Sequence, residues 1–174
     1  MTLFEIRNKE GIDYSCLPEW ESFGIIQATS FRNGGVSGDA FASLNLGMNT
    51  PDKKENIISN RRKFFSIFGL DSEKIITLRQ IHSEKVIIVS KNDQGKGAMD
   101  ISDSVASADG LLTNEPGVIM SIYTADCLPI FFAEPKKRVL GIAHAGWRGT
   151  AGGITRTMIE LMEAVYQIKP ENVL

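Results

Sequence analysis

The chain has 174 residues, enough for one domain with a sizeable core, and its 43% hydrophobic and 23% charged content excludes a disordered or fibrous chain. Its formal net charge of -2 gives no reason to expect nucleic acid, since neutralising many phosphates needs a clear Lys/Arg excess, but it is compatible with a small anionic substrate. Met1 to Gly11 lacks the continuous apolar stretch of an export signal, and the most apolar window, Gly117 to Ala133, contains Asp126 and Pro129. A cytoplasmic protein without a membrane partner is expected.

Gly24 to Phe31 alternates as a strand and runs into Arg32-Asn33-Gly34-Gly35, a turn, with a loop to Met48. Thr50 is the expected N-cap of a helix, with Pro51 at its first position, Asp52 in its first turn and Gly69 ending it. Ile57, Ile58, Phe64, Phe65 and Phe68 form one apolar stripe at helical period. Ile75 to Leu78 and Val86 to Val89 read as strands on either side of Gln80-Ile81-His82-Ser83, and residues 91 to 107 as a mobile polar loop. Four further strands follow: Gly110 to Thr113, Val118 to Tyr123, Leu128 to Ala133 and Val139 to His144, with a hairpin turn at Glu134-Pro135-Lys136-Lys137. A glycine-rich loop, Gly146 to Gly153, leads into a helix with Ile154, Met158, Leu161, Met162 and Val165 on one face. Strands dominate and no crossover helix separates the central ones, so the expected fold is α/β (α+β), with mixed sheets flanked by helices rather than a regular doubly wound sheet.

The two histidines, His82 and His144, each stand at the end of an expected strand, and so does Cys127. Two imidazoles and a thiolate suit a catalytic zinc, which takes three protein ligands and keeps one open position. Their separations match no local zinc pattern, so the residues alone leave open a small core cysteine and two surface histidines. With two cysteines in all, a disulfide framework is excluded, and Cys16 reads as an isolated thiol. Arg61 lies near the middle of the helical stripe. There its guanidinium either meets an anionic or strongly polar partner, or its stem packs while its head reaches water. Ala145 to Gly153 joins strand to helix beside His144; its amides and Arg148 suit an anion, although a close turn explains the glycines equally well.

Seven motifs in order carry a resemblance: Ser30-Phe31-Arg32-Asn33-Gly34-Gly35-Val36-Ser37, Ser43-Leu44-Asn45-Leu46-Gly47, Asn60-Arg61, Gln80-Ile81-His82, Ala108-Asp109-Gly110-Leu111, Thr124-Ala125-Asp126-Cys127-Leu128-Pro129, and His144-Ala145-Gly146-Trp147-Arg148-Gly149. Over roughly residues 24 to 160 the chain closely resembles the YfiH-like, or laccase-domain, family, whose members have been called polyphenol oxidases and purine nucleoside phosphorylases. The resemblance implies a layered α/β/β/α arrangement with mixed sheets, a single metal-binding domain over residues 1–174, and zinc ligands His82, Cys127 and His144. It also implies phosphorolysis of adenosine, inosine and methylthioadenosine, and deamination of adenosine, with a nucleoside and phosphate as partners. In this reading Asp126 is a proton carrier or an orienting group beside the metal, and Asn45, Arg61 and Arg148 contact substrate. Family members continue into a Gly-Pro-Ser-Ile segment and a Tyr-Glu-Val segment that this chain does not contain, so a chain truncated at its C-terminus is expected. The rival readings are a copper-dependent polyphenol oxidase, a cysteine hydrolase using Cys127, and a non-catalytic binding module that a metal holds together.

Overall fold

The computed structural model describes residues 4–174, and residues 1–3 of the segment read as lacking an export signal lie outside it. The chain falls into two compact units, one up to Ser72 and one from Glu73 to Leu174.

In the first unit, β1 (Glu5–Lys9) and β2 (Ile12–Cys16) form an antiparallel hairpin that sequence reading did not assign, and β3 (Thr29–Ser30) adds to β2. The expected strand over residues 24–31 shrinks to those two residues, paired with Ser15 and Tyr14, and the Phe31 amide adds one bond to the Asp13 carbonyl. A short helix, α1 (Pro18–Glu21), precedes it. The long helix α2 (Lys54–Ser66) starts later than Thr50 and Pro51 suggest, since Asp52 instead accepts bonds from the Lys53 amide and the Asn56 side chain. Gly69, at φ +69, turns the chain just past its end as expected. Phe64 packs edge-on against Phe65 and Phe68, and Phe68 against Tyr14 of β2.

The inner face of α2 is not purely apolar: Asn60 and Arg61 are 0% and 1% exposed. Asn60 accepts from the Val36 amide and donates to Ser37, Ser43 and Asn45, which draws the 36–45 segment onto the helix. Arg61 donates from Nε to the Leu46 carbonyl. Of the two readings of Arg61, the buried one with polar partners holds and the solvent-reaching one is overturned.

The second unit contains two sheets. β4 (Ile75–Thr77) pairs parallel with β7 (Ile119–Ser121). A four-stranded sheet has the order β5 (Val86–Ile88), β6 (Gly110–Thr113), β9 (Val139–Ala145), β8 (Leu128–Glu134), parallel between β5 and β6 and antiparallel elsewhere. The strands expected on either side of His82 thus enter different sheets. Alternation along the strands sends neighbours to opposite faces. Leu112 and Ala143 face Ile154, Met158 and Met162 of helix α4 (Ile154–Tyr166), whereas Leu111 and Ile142 face Ile76 and Met120 of the two-stranded sheet. Helix, sheet and sheet are therefore stacked, and the chain has the mixed α/β architecture with several sheets that its sequence implies.

Two expectations need correction here. Residues 91–107 do not form a loose loop: Ser90 and Asp93 make a capping box on a 3-10 turn, Asp100 caps a second, and the main chain bonds on both sides of Thr77 to Lys96 and Val105. The glycine-rich stretch after His144 is not a loop either, because Trp147–Gly152 forms a helix, α3, whose C-cap Gly153 (φ 89) separates it from α4.

At the free side of β8, the Ala133 amide and carbonyl bond Leu174. Since opposite positions alternate in an antiparallel pair, Phe131 and Pro129 point their main chains the same way. Pro129 thus stands where its missing N–H costs no bond to β9.

Candidate metal centre

His82, Cys127 and His144 lie far apart in sequence but converge within the second unit. One ligand atom of each falls within 4.8 Å of the other two. His144 is the penultimate residue of β9, and its cross-strand partner is Pro129, which puts the start of β8, and so Cys127 just before it, alongside. The two imidazole rings stand edge to face, with centroids 4.7 Å apart and planes at 81°. Burial is graded: His144 is enclosed, Cys127 is half-buried and His82 is exposed, so the cluster is open on one side.

Asp109 is the residue that builds this geometry. It immediately precedes β6, where pairing of Gly110 with Ala143 sets it beside His144. The His144 amide donates to the Asp109 carbonyl at 2.7 Å, and the His144 Nδ1 lies 2.8 Å from Asp109 Oδ1. The same carboxylate accepts from the amides of Ile81, His82 and Ser83 and from the Ser83 hydroxyl. Asp109 is 0% exposed. Burial by itself would raise its pKa, but the bonds from His144, Ser83 and His82 override that and hold it at about 2. A carboxylate in that state is acceptor-only, so His144 Nδ1 is the donor in this bond. The loop at His82, which adopts φ 60, is held by three amide bonds to one side chain.

Gly146 completes the cluster by having no side chain. A Cβ there would sit 2.9 Å from His82 Cδ2 and 3.1 Å from Cys127 Sγ, inside van der Waals contact. In a tetrahedral zinc site, ligand atoms are roughly 3.3 to 3.6 Å apart given metal bonds of about 2.0 to 2.3 Å. The observed spread of up to 4.8 Å needs a modest inward adjustment of side chains, and two nitrogens with one sulfur are donors that zinc or copper accepts.

The other sequence candidates are distributed differently. Asp126 is exposed next to Cys127 and is not in the convergent set. Arg148 is exposed, with its guanidinium 5.2 Å over the Trp147 ring. Asn45 and Arg61 belong to the first unit, where Asn45 bonds Thr50, Asp52 and the Gly47 amide. The sequence shows the Ala108-Asp109-Gly110-Leu111 motif but assigns Asp109 no role, since an aspartate ahead of a glycine and a short apolar strand also reads as a turn residue. Among the described residues no helix is long and apolar enough to cross a membrane.

Residues 26–174 match the family model described as multi-copper polyphenol oxidoreductase laccase. The chain is 37% identical over 150 residues to the purine nucleoside phosphorylase YlmD of Geobacillus stearothermophilus, covering 86% of this chain and 55% of that one. It is 32% identical over 159 residues to the purine nucleoside phosphorylase YfiH of Escherichia coli, covering 91% of this chain and 60% of that one. The crystal structure of YlmD from Geobacillus stearothermophilus superposes with a TM-score of 0.92 at 34% identity, over 98% of this chain and 62% of that one. The chain thus spans little more than half the length of the relatives it matches.

Proposed function

Because the chain belongs to the multi-copper polyphenol oxidoreductase laccase family, in its YfiH-like group, we propose that it acts as a zinc-dependent purine nucleoside phosphorylase in the cytoplasm, where Cys127 stays reduced. The observation that carries this reading is the convergence of His82, Cys127 and His144, with His144 Nδ1 held against Asp109. Its substrates are adenosine, inosine and methylthioadenosine, and adenosine is also deaminated.

Held by these three side chains, zinc would supply Lewis acidity and one open coordination position. The protein's own groups do the rest. Asp109 fixes the tautomer and ring direction of His144. Ile81, Leu128 and Trp147, at 48%, 67% and 75% exposure, directly follow or precede cluster residues or Gly146 in sequence and offer apolar surface to a purine ring. In phosphorolysis a phosphate oxygen bonds to the ribose anomeric carbon as the glycosidic C–N bond breaks; the electron pair leaves with the base, which takes up a proton. Arg148 is suited to hold the phosphate, and Asp126 to carry the proton. In deamination, water adds at C6 and ammonia leaves. Asn45 and Arg61 contribute by holding the shape of the segment between Asn45 and Thr50.

The purified chain, loaded with stoichiometric zinc, should release hypoxanthine from inosine in the presence of phosphate and ammonia from adenosine. Zinc loading with neither product would refute the activity. The family description also favours a second reading, copper-dependent oxidation of phenols. The sequence contains two histidines, which serve one mononuclear centre rather than a multinuclear copper cluster. Metal analysis combined with oxygen uptake on a phenol separates the two.

A further inference from the structure

We infer that Gln80 is a positioning residue that holds Cys127 in reach of the two histidines, by using its side-chain amide to bond both main-chain groups of Tyr123 past the last β4–β7 pair. The inference rests on the proposed metal site, but its central observation does not involve a metal.

β4 and β7 run parallel as far as the Thr77–Ser121 pair. The paired register ends there. On the opposite edge of this strand, where Thr77 bonds Lys96 and Val105, Arg79 pairs with Ser107, its amide donating to the Ala106 carbonyl and its carbonyl accepting from Ala108. The segment that leads from β7 towards Cys127 and β8 continues past the last β4–β7 pair. Gln80 reaches it there. Its Oε1 accepts from the Tyr123 amide at 2.9 Å, and its Nε2 donates to the Tyr123 carbonyl at 2.8 Å. A primary amide presents one acceptor and one donor side by side, as a peptide group does, so it can satisfy both groups of one residue together.

The consequence concerns the metal triangle. Asp109 ties His82 to His144, through the amides of the His82 loop at one oxygen pair and the His144 ring at the same carboxylate. Among the described residues, the bonds to the Asp109 carboxylate come from Ile81, His82, Ser83 and His144 and not from the Cys127 segment. That segment is anchored at its far end by β8 on β9, and at its near end by Gln80, two residues before His82. One side chain thus links the loop that carries the first imidazole to the segment that carries the thiol. An ion that must bind both feels the slack if the link is cut.

The test compares Gln80→Met, which keeps the length and removes both bonds, with Gln80→Glu, which keeps the acceptor and loses the donor. Four quantities are read in the whole chain: zinc affinity by chelator competition, the thiolate-to-cobalt charge-transfer band of the cobalt(II)-substituted protein, amide hydrogen exchange over residues 122–127 without metal, and Tm. For Gln80→Met, zinc affinity should fall by about 10- to 100-fold, the size expected for a group that orients a ligand. The thiolate band should weaken, and Tyr123 should exchange about tenfold faster or more, while exchange elsewhere in residues 73–174 and Tm stay close to the parent. Gln80→Glu should fall between Met and the parent. Unchanged zinc affinity with an unchanged thiolate band in Gln80→Met would overturn the inference, as would exchange that rises uniformly across the unit together with a drop in Tm. If the unsubstituted chain binds neither zinc nor cobalt, the metal reading fails. Gln80 is then judged on exchange: acceleration confined to residues 122–127 sustains the link, and its absence removes it.

Discussion

Asp109 concentrates five hydrogen-bond donors on one buried carboxylate, and this sets what a change there must do. Asparagine has the same shape but turns one oxygen into a donor, so an N–H must face an N–H or the His144 tautomer must flip. Asp109→Asn should cost about 3 kcal/mol in urea unfolding and about 10- to 100-fold in zinc affinity, measured by chelator competition. Gly146→Ala should separate site from fold. The backbone there, φ -73 and ψ 167, suits any residue, so the added methyl acts through its clash with His82 and Cys127 and should lower zinc affinity with little change in stability. At this scale the sequence was informative where a side chain broke a pattern. Arg61 in an apolar stripe left two readings, and the structure shows the buried, bonded one. Asp109 did not stand out, because an aspartate before glycine reads equally well as an ordinary turn. The three cluster residues emerged from family resemblance, since strand pairing and not local spacing brings them together.

Among the elements, α3 and α4 show how a backbone position differs from a contact position. Gly153 joins them at φ 89, and a Cβ there would meet nothing closer than Arg156 Cβ at 3.8 Å. Gly153→Ala should therefore destabilise by about 1 to 2 kcal/mol through backbone strain and leave metal affinity unchanged, the inverse of the Gly146 result. The segment ahead of α2 offers a pH test. Burial favours the neutral form of Asp52, but bonds from Ser37, Asn45, Asn56 and the Lys53 amide outweigh it and lower its pKa below the ordinary carboxylate value. Its contribution to stability is then complete above that ordinary value and is lost as pH falls through the lowered one. The difference in urea midpoint between the parent and Asp52→Asn should be constant near pH 6 and shrink below about pH 4. The strands from Gly110 to Ala145 were legible because apolar runs alternate there with turn residues. Residues 91–107 misled for a chemical reason: the serines and aspartates that suggest loose chain are also the residues that cap 3-10 turns.

For the whole molecule, the metal should act as a ligand of the folded second unit. At a free zinc concentration of about 100 times Kd, mass action adds about 2.7 kcal/mol. Trp147 lies in that unit, so its fluorescence should report a later urea transition with zinc than without, and His82→Ala should abolish the difference. A coarse mixed α/β architecture followed from strand and helix counts, whereas the split of neighbouring strands between two sheets depends on pairings distant in sequence. The outer margin of β8 has a bearing on behaviour at high concentration. Proline at 129 offers no donor, and the Ala133 rung is already taken by Leu174. A strand from another copy that sought to extend the sheet there would find the Phe131 amide as its one donor between them, too little purchase to template ordered aggregation from that border.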